Sequence, residues 1–216
     1  VSLPIIFDLD GTLIDSAPDI HGVGNAVLAE EGLPPLTFAE ARSFIGNGAG
    51  AFVSRMMAAR GISEAPENHT RLTKAFIARY EGAVQLTRLY PGVEAALDEL
   101  RAAGHPLGLC TNKPHAPTLS VLRHFGLDAF FATVVGGDTL VVRKPDPAPL
   151  RHAMTGLKAR ACLFVGDSEI DAETAQAAGA PFALFTEGYR KGPVAGIPHS
   201  ALFAEFSDLP AIAAAL

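Results

Sequence analysis

The residues of this chain best suited to chemistry stand at the ends of apolar runs. Ile5-Ile6-Phe7 leads directly into Asp8-Leu9-Asp10-Gly11-Thr12. Alternate side chains of an extended strand point the same way, so Asp8 and Asp10 face one side. Carboxylates held together repel, and burying them is costly unless a cation neutralises the pair. Mg²⁺, a hard cation that accepts a few protein oxygens, suits such a pair. Asp-Gly is also a common turn dipeptide, so the motif alone leaves a turn and a metal site both open. An EF-hand loop begins the same way but needs Gly sixth and Glu twelfth. Leu13 and Asp19 stand there instead, which excludes it.

Three further segments behave alike. Thr111-Asn112-Lys113-Pro114 offers a hydroxyl and backbone N–H groups at a helix entrance, which suits a phosphate oxygen or a plain N-cap. Lys144 precedes Pro145, whose ring restricts the backbone before it and can hold an ammonium in one place; a solvated surface lysine is the plainer reading. Gly166-Asp167-Ser168-Glu169-Ile170-Asp171 carries a carboxylate and another one helical turn later, although an N-cap accounts for Asp167 by itself. Gly46-Asn47-Gly48-Ala49-Gly50 reads formally as a dinucleotide fingerprint. It follows a helical pattern over 38–45 rather than a strand, so a tight turn is the better reading.

These segments need a scaffold that brings them together. Pro4–Phe7, Pro106–Cys110, Ala161–Val165 and Pro181–Phe185 are short apolar runs bounded by Gly, Pro or Asp, as buried parallel strands tend to be, with a weaker fifth at Ala132–Val135. Helical stripes lie between them: Val93, Ala96, Leu97 and Leu100 before Gly104, then Leu119, Leu122 and Phe125 before Gly126. This alternation predicts an α/β fold, a doubly wound, mostly parallel Rossmann-like sheet whose strand carboxyl ends form one crevice. From 16 to 85 the periodicity is helical throughout, with stripes Ile20/Val23/Val27/Leu28, Phe52/Val53/Met56/Met57 and Leu72/Phe76/Tyr80. The expected division is a core of 1–15 and 86–216, with a small helical cap of 16–85 inserted after the first strand. Its hinges fall near Asp15–Pro18 and Leu86–Pro91.

Composition narrows the possibilities. The 216 residues carry a net charge of −6, with 49% apolar and 19% charged residues, which is ordinary globular usage and excludes a disordered chain. Mild acidity and scattered basic residues argue against a nucleic-acid partner. No apolar run approaches the roughly 18 residues of a membrane span, so no membrane partner is expected. No secretory leader is visible, and Cys110 and Cys162 are expected as two buried free thiols. A cytoplasmic protein is therefore expected, and the sequon at Asn68 reads as coincidence. The seven His residues show no zinc spacing.

Taken in order, the four strand-end segments resemble the haloacid dehalogenase superfamily, specifically its phosphatases, over nearly the whole chain. Asp8-Leu9-Asp10-Gly11-Thr12 matches the first motif, Thr111 the second, Lys144 the third, and Asp167 with Asp171 the fourth. The resemblance implies that Asp8 is the nucleophile, forming an aspartyl-phosphate, while Asp10 serves as acid and then base and Lys144 stabilises charge. It implies Mg²⁺ at Asp8, the Asp10 backbone carbonyl and Asp167, with Asp171 orienting the metal's waters. Thr111, Asn112 and Thr12 fall with phosphoryl binding, Thr12 also steadying the loop that carries Asp10. Asn47 and Gly48 are expected at the organic part of the substrate. Arg55 is a candidate partner for a substrate carboxylate or a plain exposed arginine, and His21 and His115 read as hinge or surface residues.

Asp10 favours a phosphate ester, because the family's dehalogenases lack an acid there. Segments such as Asp15–Asp19, Ile45–Gly48, Gly136-Gly137-Asp138 and Lys144–Leu150 resemble the bacterial phosphoglycolate phosphatases. The implied partner is a small phosphorylated metabolite such as 2-phosphoglycolate, handled by a monomer or homodimer. A sugar-phosphate phosphatase, a pyrophosphatase, a mutase and a non-catalytic phosphate-binding protein are the alternatives.

Overall fold

The computed structural model describes residues 2–216, so residue 1 of the expected core segment lies outside the described residues. The chain enters through β1 (Ile5–Phe7) and β2 (Ile14–Asp15), then builds α1 (Ala17–Glu30), α2 (Phe38–Phe44), α3 (Ala49–Ala59) and α4 (Pro66–Tyr80). It returns through β3 (Arg88–Leu89) into α5 (Val93–Ala102), β4 (Leu107–Cys110), α6 (His115–His124), β5 (Thr133–Val135) and α7 (Ala148–Gly156). β6 (Leu163–Gly166), α8 (Glu169–Ala178), β7 (Phe182–Phe185), β8 (Ala201–Phe203) and α9 (Leu209–Ala215) complete it.

Six strands form one parallel sheet in the order β5-β4-β1-β6-β7-β8. β1 lies between β4 and β6, with Phe7 level with Leu109 and Val165. The strand order reverses there, which opens a crevice at the carboxyl ends of β4, β1 and β6. Both faces are covered. Ile5, Phe7, Leu109 and Val165 pack with residues of α5, α6 and α9, whereas Ile6, Cys110 and Phe164 pack with those of α7 and α8. Strand alternation produces that split, and each large side chain so buried contributes about 1.5–3 kcal/mol.

β8 is a sixth parallel strand that the apolar runs do not predict. Ala201 is half-buried, Leu202 exposed and Phe203 buried, so a short edge strand carries no continuous apolar run. Cys110 and Cys162 are buried and free. Among the described residues no helix is long and apolar enough to cross a membrane.

α1 to α4 share a separate apolar cluster in which the predicted stripes meet, with the Phe52 and Phe76 rings 5.0 Å apart. α2 begins on a capping box: the Thr37 hydroxyl accepts from the Glu40 N–H while the Glu40 carboxylate accepts from the Thr37 N–H. Where the chain enters and leaves these helices, β2 and β3 pair antiparallel. Asp19 Oδ2 closes that crossing, accepting from the Leu86 N–H (3.0 Å), the Thr87 N–H (2.7 Å) and the Thr87 hydroxyl (2.7 Å).

Candidate active site

The loops after β1, β4 and β6 meet at the crevice. Asp8, Asp167 and Asp171 are all buried, each offering a carboxylate oxygen within 4.8 Å of the others. Lys144 Nζ lies 2.9 Å from Asp8 Oδ1 and 2.7 Å from Asp171 Oδ1. The Asp8 contact is off the line of a hydrogen bond, so Asp8 Oδ1 is buried without a hydrogen-bond partner. Burial pushes the Asp8 carboxyl up to about 6 against the pull of the Lys144 ammonium, with Asp171 adding to the rise. Burial likewise raises Asp167 well above the usual carboxylate range, and Asp171 and Asp8 raise it further. Burial by itself pulls the Lys144 ammonium down, but Asp171 and Asp8 outweigh it and hold it above the ordinary lysine value.

Local structure explains why Asp167 stays where it is. Thr12 Oγ1 donates to its Oδ1 (2.7 Å) and the Tyr189 N–H to its Oδ2 (2.6 Å). Gly11 has φ +90°, and a Cβ there would sit 2.5 Å from Asp167 Oδ2, so this loop accepts only glycine on both counts. Asp171 Oδ2 accepts from the Ser168 hydroxyl (2.6 Å) and N–H (3.1 Å), which pins the start of α8.

Three carboxylates facing one ammonium leave an excess of two negative charges when ionised, beside a carboxylate oxygen without a hydrogen bond. A hard divalent cation fits that donor set. Asp8, Asp167 and Asp171 could hold it. The Asp10 side chain is turned elsewhere: its Oδ1 accepts from the Ser16 hydroxyl (2.6 Å) and lies 3.1 Å from Lys113 Nζ, and Tyr80 OH is 3.4 Å from Oδ2.

A cavity of about 40 Å³ opens beside Asp8 and Asp10. Thr111, Asn112 and Lys113 contribute to its core side; Ile20, Ile45, Phe52 and Phe76 give it an apolar roof from the inserted helices. A wider cleft of about 400 Å³ leads in past Asn47, Glu169 and Lys191. Gly48 borders the smaller cavity and Asn47 the wider one.

Several expected substrate contacts are spent within the protein. Thr12 is fully buried on Asp167 and does not line either cavity, so it positions a carboxylate rather than binding substrate. Asn112 Nδ2 donates to the carbonyls of Gly46 and Lys144, both at 3.0 Å, tying the 46–48 loop to the core; its Oδ1 is buried and unpartnered. Arg55 donates to the Phe44 carbonyl and Asn47 Oδ1, each at 2.6 Å, and so bends that loop instead of awaiting a carboxylate. His21 lies 2.8 Å from the Leu36 carbonyl within the helical unit, and the His115 N–H donates to Asp138.

Two residues at the site escape sequence reasoning. Lys113 is buried at the cavity wall, its ammonium on Asp10 and on the Tyr80 hydroxyl. Tyr189 reaches from the loop after β7: its hydroxyl accepts from the Ser16 (2.7 Å) and Ala17 (3.0 Å) N–H groups and donates to Asp15 Oδ1 (2.6 Å). It links the first hinge to Asp167. Lys113 lies within the Thr111–Pro114 segment but its residue type there assigns it no role, and Tyr189 lies in no motif; Lys113 meets Asp10 from 103 residues away and Tyr189 meets Ser16 from 173.

The model of the haloacid dehalogenase-like hydrolases matches residues 5–185. A phosphoglycolate phosphatase of Cereibacter sphaeroides is 53% identical over 209 residues, covering 95% of both chains. One of Rhodospirillum rubrum is 42% identical over 212 residues, covering 95% of this chain and 88% of its own. The crystal structure of a predicted phosphoglycolate phosphatase from Haemophilus somnus superposes with a TM-score of 0.91 at 32% identity, covering 98% of this chain and 97% of that one.

Proposed function

This chain belongs to the haloacid dehalogenase-like hydrolase family and is a phosphatase, and we propose that it hydrolyses 2-phosphoglycolate to glycolate and phosphate with Mg²⁺. The observation that carries the chemistry is Asp8. Its Oδ1 is buried without a hydrogen bond, beside a cavity and among two further carboxylates and one ammonium. The substrate assignment leans on the 53% identical phosphoglycolate phosphatase.

Asp8 attacks phosphorus, forming an aspartyl-phosphate as the bond to the glycolate oxygen breaks. Asp10, two residues on and beside the same cavity, gives that oxygen its proton. It then takes a proton from the water that attacks the phosphoryl group, which frees Asp8 and releases phosphate. Lys144 opposes the charge gathered at Asp8, and Thr111 with the backbone N–H groups that follow it supplies donors to the phosphoryl oxygens. Asp8, Asp167 and Asp171 would hold Mg²⁺, whose charge would offset that of the phosphoryl oxygens beside the nucleophile. The four inserted helices act as a cap, their apolar roof keeping water from the leaving group.

Phosphate release from 2-phosphoglycolate, glucose 6-phosphate, nucleoside monophosphates and pyrophosphate tests this directly. The expected result is preference for 2-phosphoglycolate, abolished by EDTA. Equal turnover across the panel would overturn the substrate, and undiminished turnover in EDTA would overturn the metal.

A further inference from the structure

Lys113 combines four properties that surface lysines lack. It is 4% exposed, and among the described residues it is the only cation bordering the 40 Å³ cavity. Its ammonium has three donors but spends two within the protein, on Asp10 Oδ1 and the Tyr80 hydroxyl. Tyr80 also places its ring face against the ammonium, 3.8 Å from the centroid, which limits where the head group can move. Ile45, Phe52 and Phe76 border the same cavity and offer no polar partner to a ligand.

A buried cation with a spare donor, in a small apolar-roofed cavity, is a receptor for one anionic group. Arg55, the sequence's own candidate for a substrate carboxylate, is committed to Phe44 and Asn47. We propose that Lys113 is the specificity-determining residue of the site, binding the carboxylate of a short leaving group while the phosphoryl end lies at Asp8. This rests on the 2-phosphoglycolate reading and adds the group that recognises it. A neutral leaving group of the same length offers the ammonium no opposing charge, and that loss is the source of discrimination.

The test compares 2-phosphoglycolate with 2-hydroxyethyl phosphate, which has the same two-carbon chain with an alcohol in place of the carboxylate. Wild type, Lys113→Met and Lys113→Arg are assayed on both. Because Asp10 loses its partner in Lys113→Met, the ratio of kcat/KM between the two substrates is the readout. The ratio is expected to fall about 10- to 100-fold in Lys113→Met, chiefly through KM for 2-phosphoglycolate, and to be largely kept in Lys113→Arg. In wild type, glycolate should inhibit hydrolysis of 2-hydroxyethyl phosphate at least about tenfold more strongly than ethylene glycol does, a comparison that needs no variant to fold. An unchanged ratio in Lys113→Met, or equal inhibition by the two alcohols, would overturn the role of Lys113 while leaving the substrate in place. A wild type that does not favour 2-phosphoglycolate would overturn the substrate and this role together.

Discussion

Lys144 stands between Asp8 and Asp171, and among the described residues no other cation pairs with the three carboxylates around it. Removing one partner of a buried ion pair strands the other charge, which is far costlier than the net worth of the pair. Lys144→Met is therefore expected to lose about 3 kcal/mol or more of stability without metal, read as a lower urea midpoint at unchanged m-value, and to lose turnover. A midpoint equal to wild type would contradict this account of the cluster. Asp8, Thr111, Lys144 and Asp167 are legible in sequence because each follows an apolar strand or precedes a proline, and strand ends converge by rule. Lys113 and Tyr189 are not, because their partners Asp10 and Asp167 are brought to them only by the tertiary fold. Thr12 and Asn112 are visible as motif residues, yet their donors are used inside the protein, which residue type cannot reveal.

Asp19 holds the crossing between α1 and the return segment through three contacts to Leu86 and Thr87. Asp19→Ala leaves the Thr87 donors buried and unpaired, so about 2–4 kcal/mol should be lost, with faster amide exchange at the start of α1. Protection unchanged along α1 would contradict the clip. At the start of α2, the Arg60 guanidinium and the Thr37 N–H hold Glu40 down to about 2 from a usual 4.5. A depressed carboxyl contributes stability above its unfolded value that is lost as pH falls toward the folded one. The difference in urea midpoint between wild type and Glu40→Gln should thus shrink from pH 4.5 toward 2; a constant difference would contradict the pairing. The helical stripes of α1, α3 and α4 are readable because a 3.6-residue period survives in them. β8 is not, since an edge strand with one face open needs no apolar run, and β2 and β3 are too short to show a period.

Over the whole molecule, the sheet's switch point decides where the loops meet, and the inserted helices supply the apolar side of the cavity above them. The crevice and the insertion are both legible from alternation and its single interruption; the size of the cavity is not, because it depends on how Phe52 and Phe76 pack above Asp10. A cation that binds the folded protein alone should stabilise the entire chain, by about 2.7 kcal/mol at a hundredfold excess over Kd. Mg²⁺ is expected to raise the thermal midpoint of wild type and not of Asp167→Asn; an equal rise in both would move the metal elsewhere. In the proposed reaction Asp8 carries the phosphoryl group during turnover. The most direct measurement mixes the Mg²⁺-loaded protein with 2-phosphoglycolate, quenches in acid within the first turnover, and maps added phosphoryl mass by peptide. One phosphoryl group is expected on the peptide containing Asp8, absent in Asp8→Asn. Phosphate released at full rate with no phosphoryl group on that peptide at any quench time would contradict it.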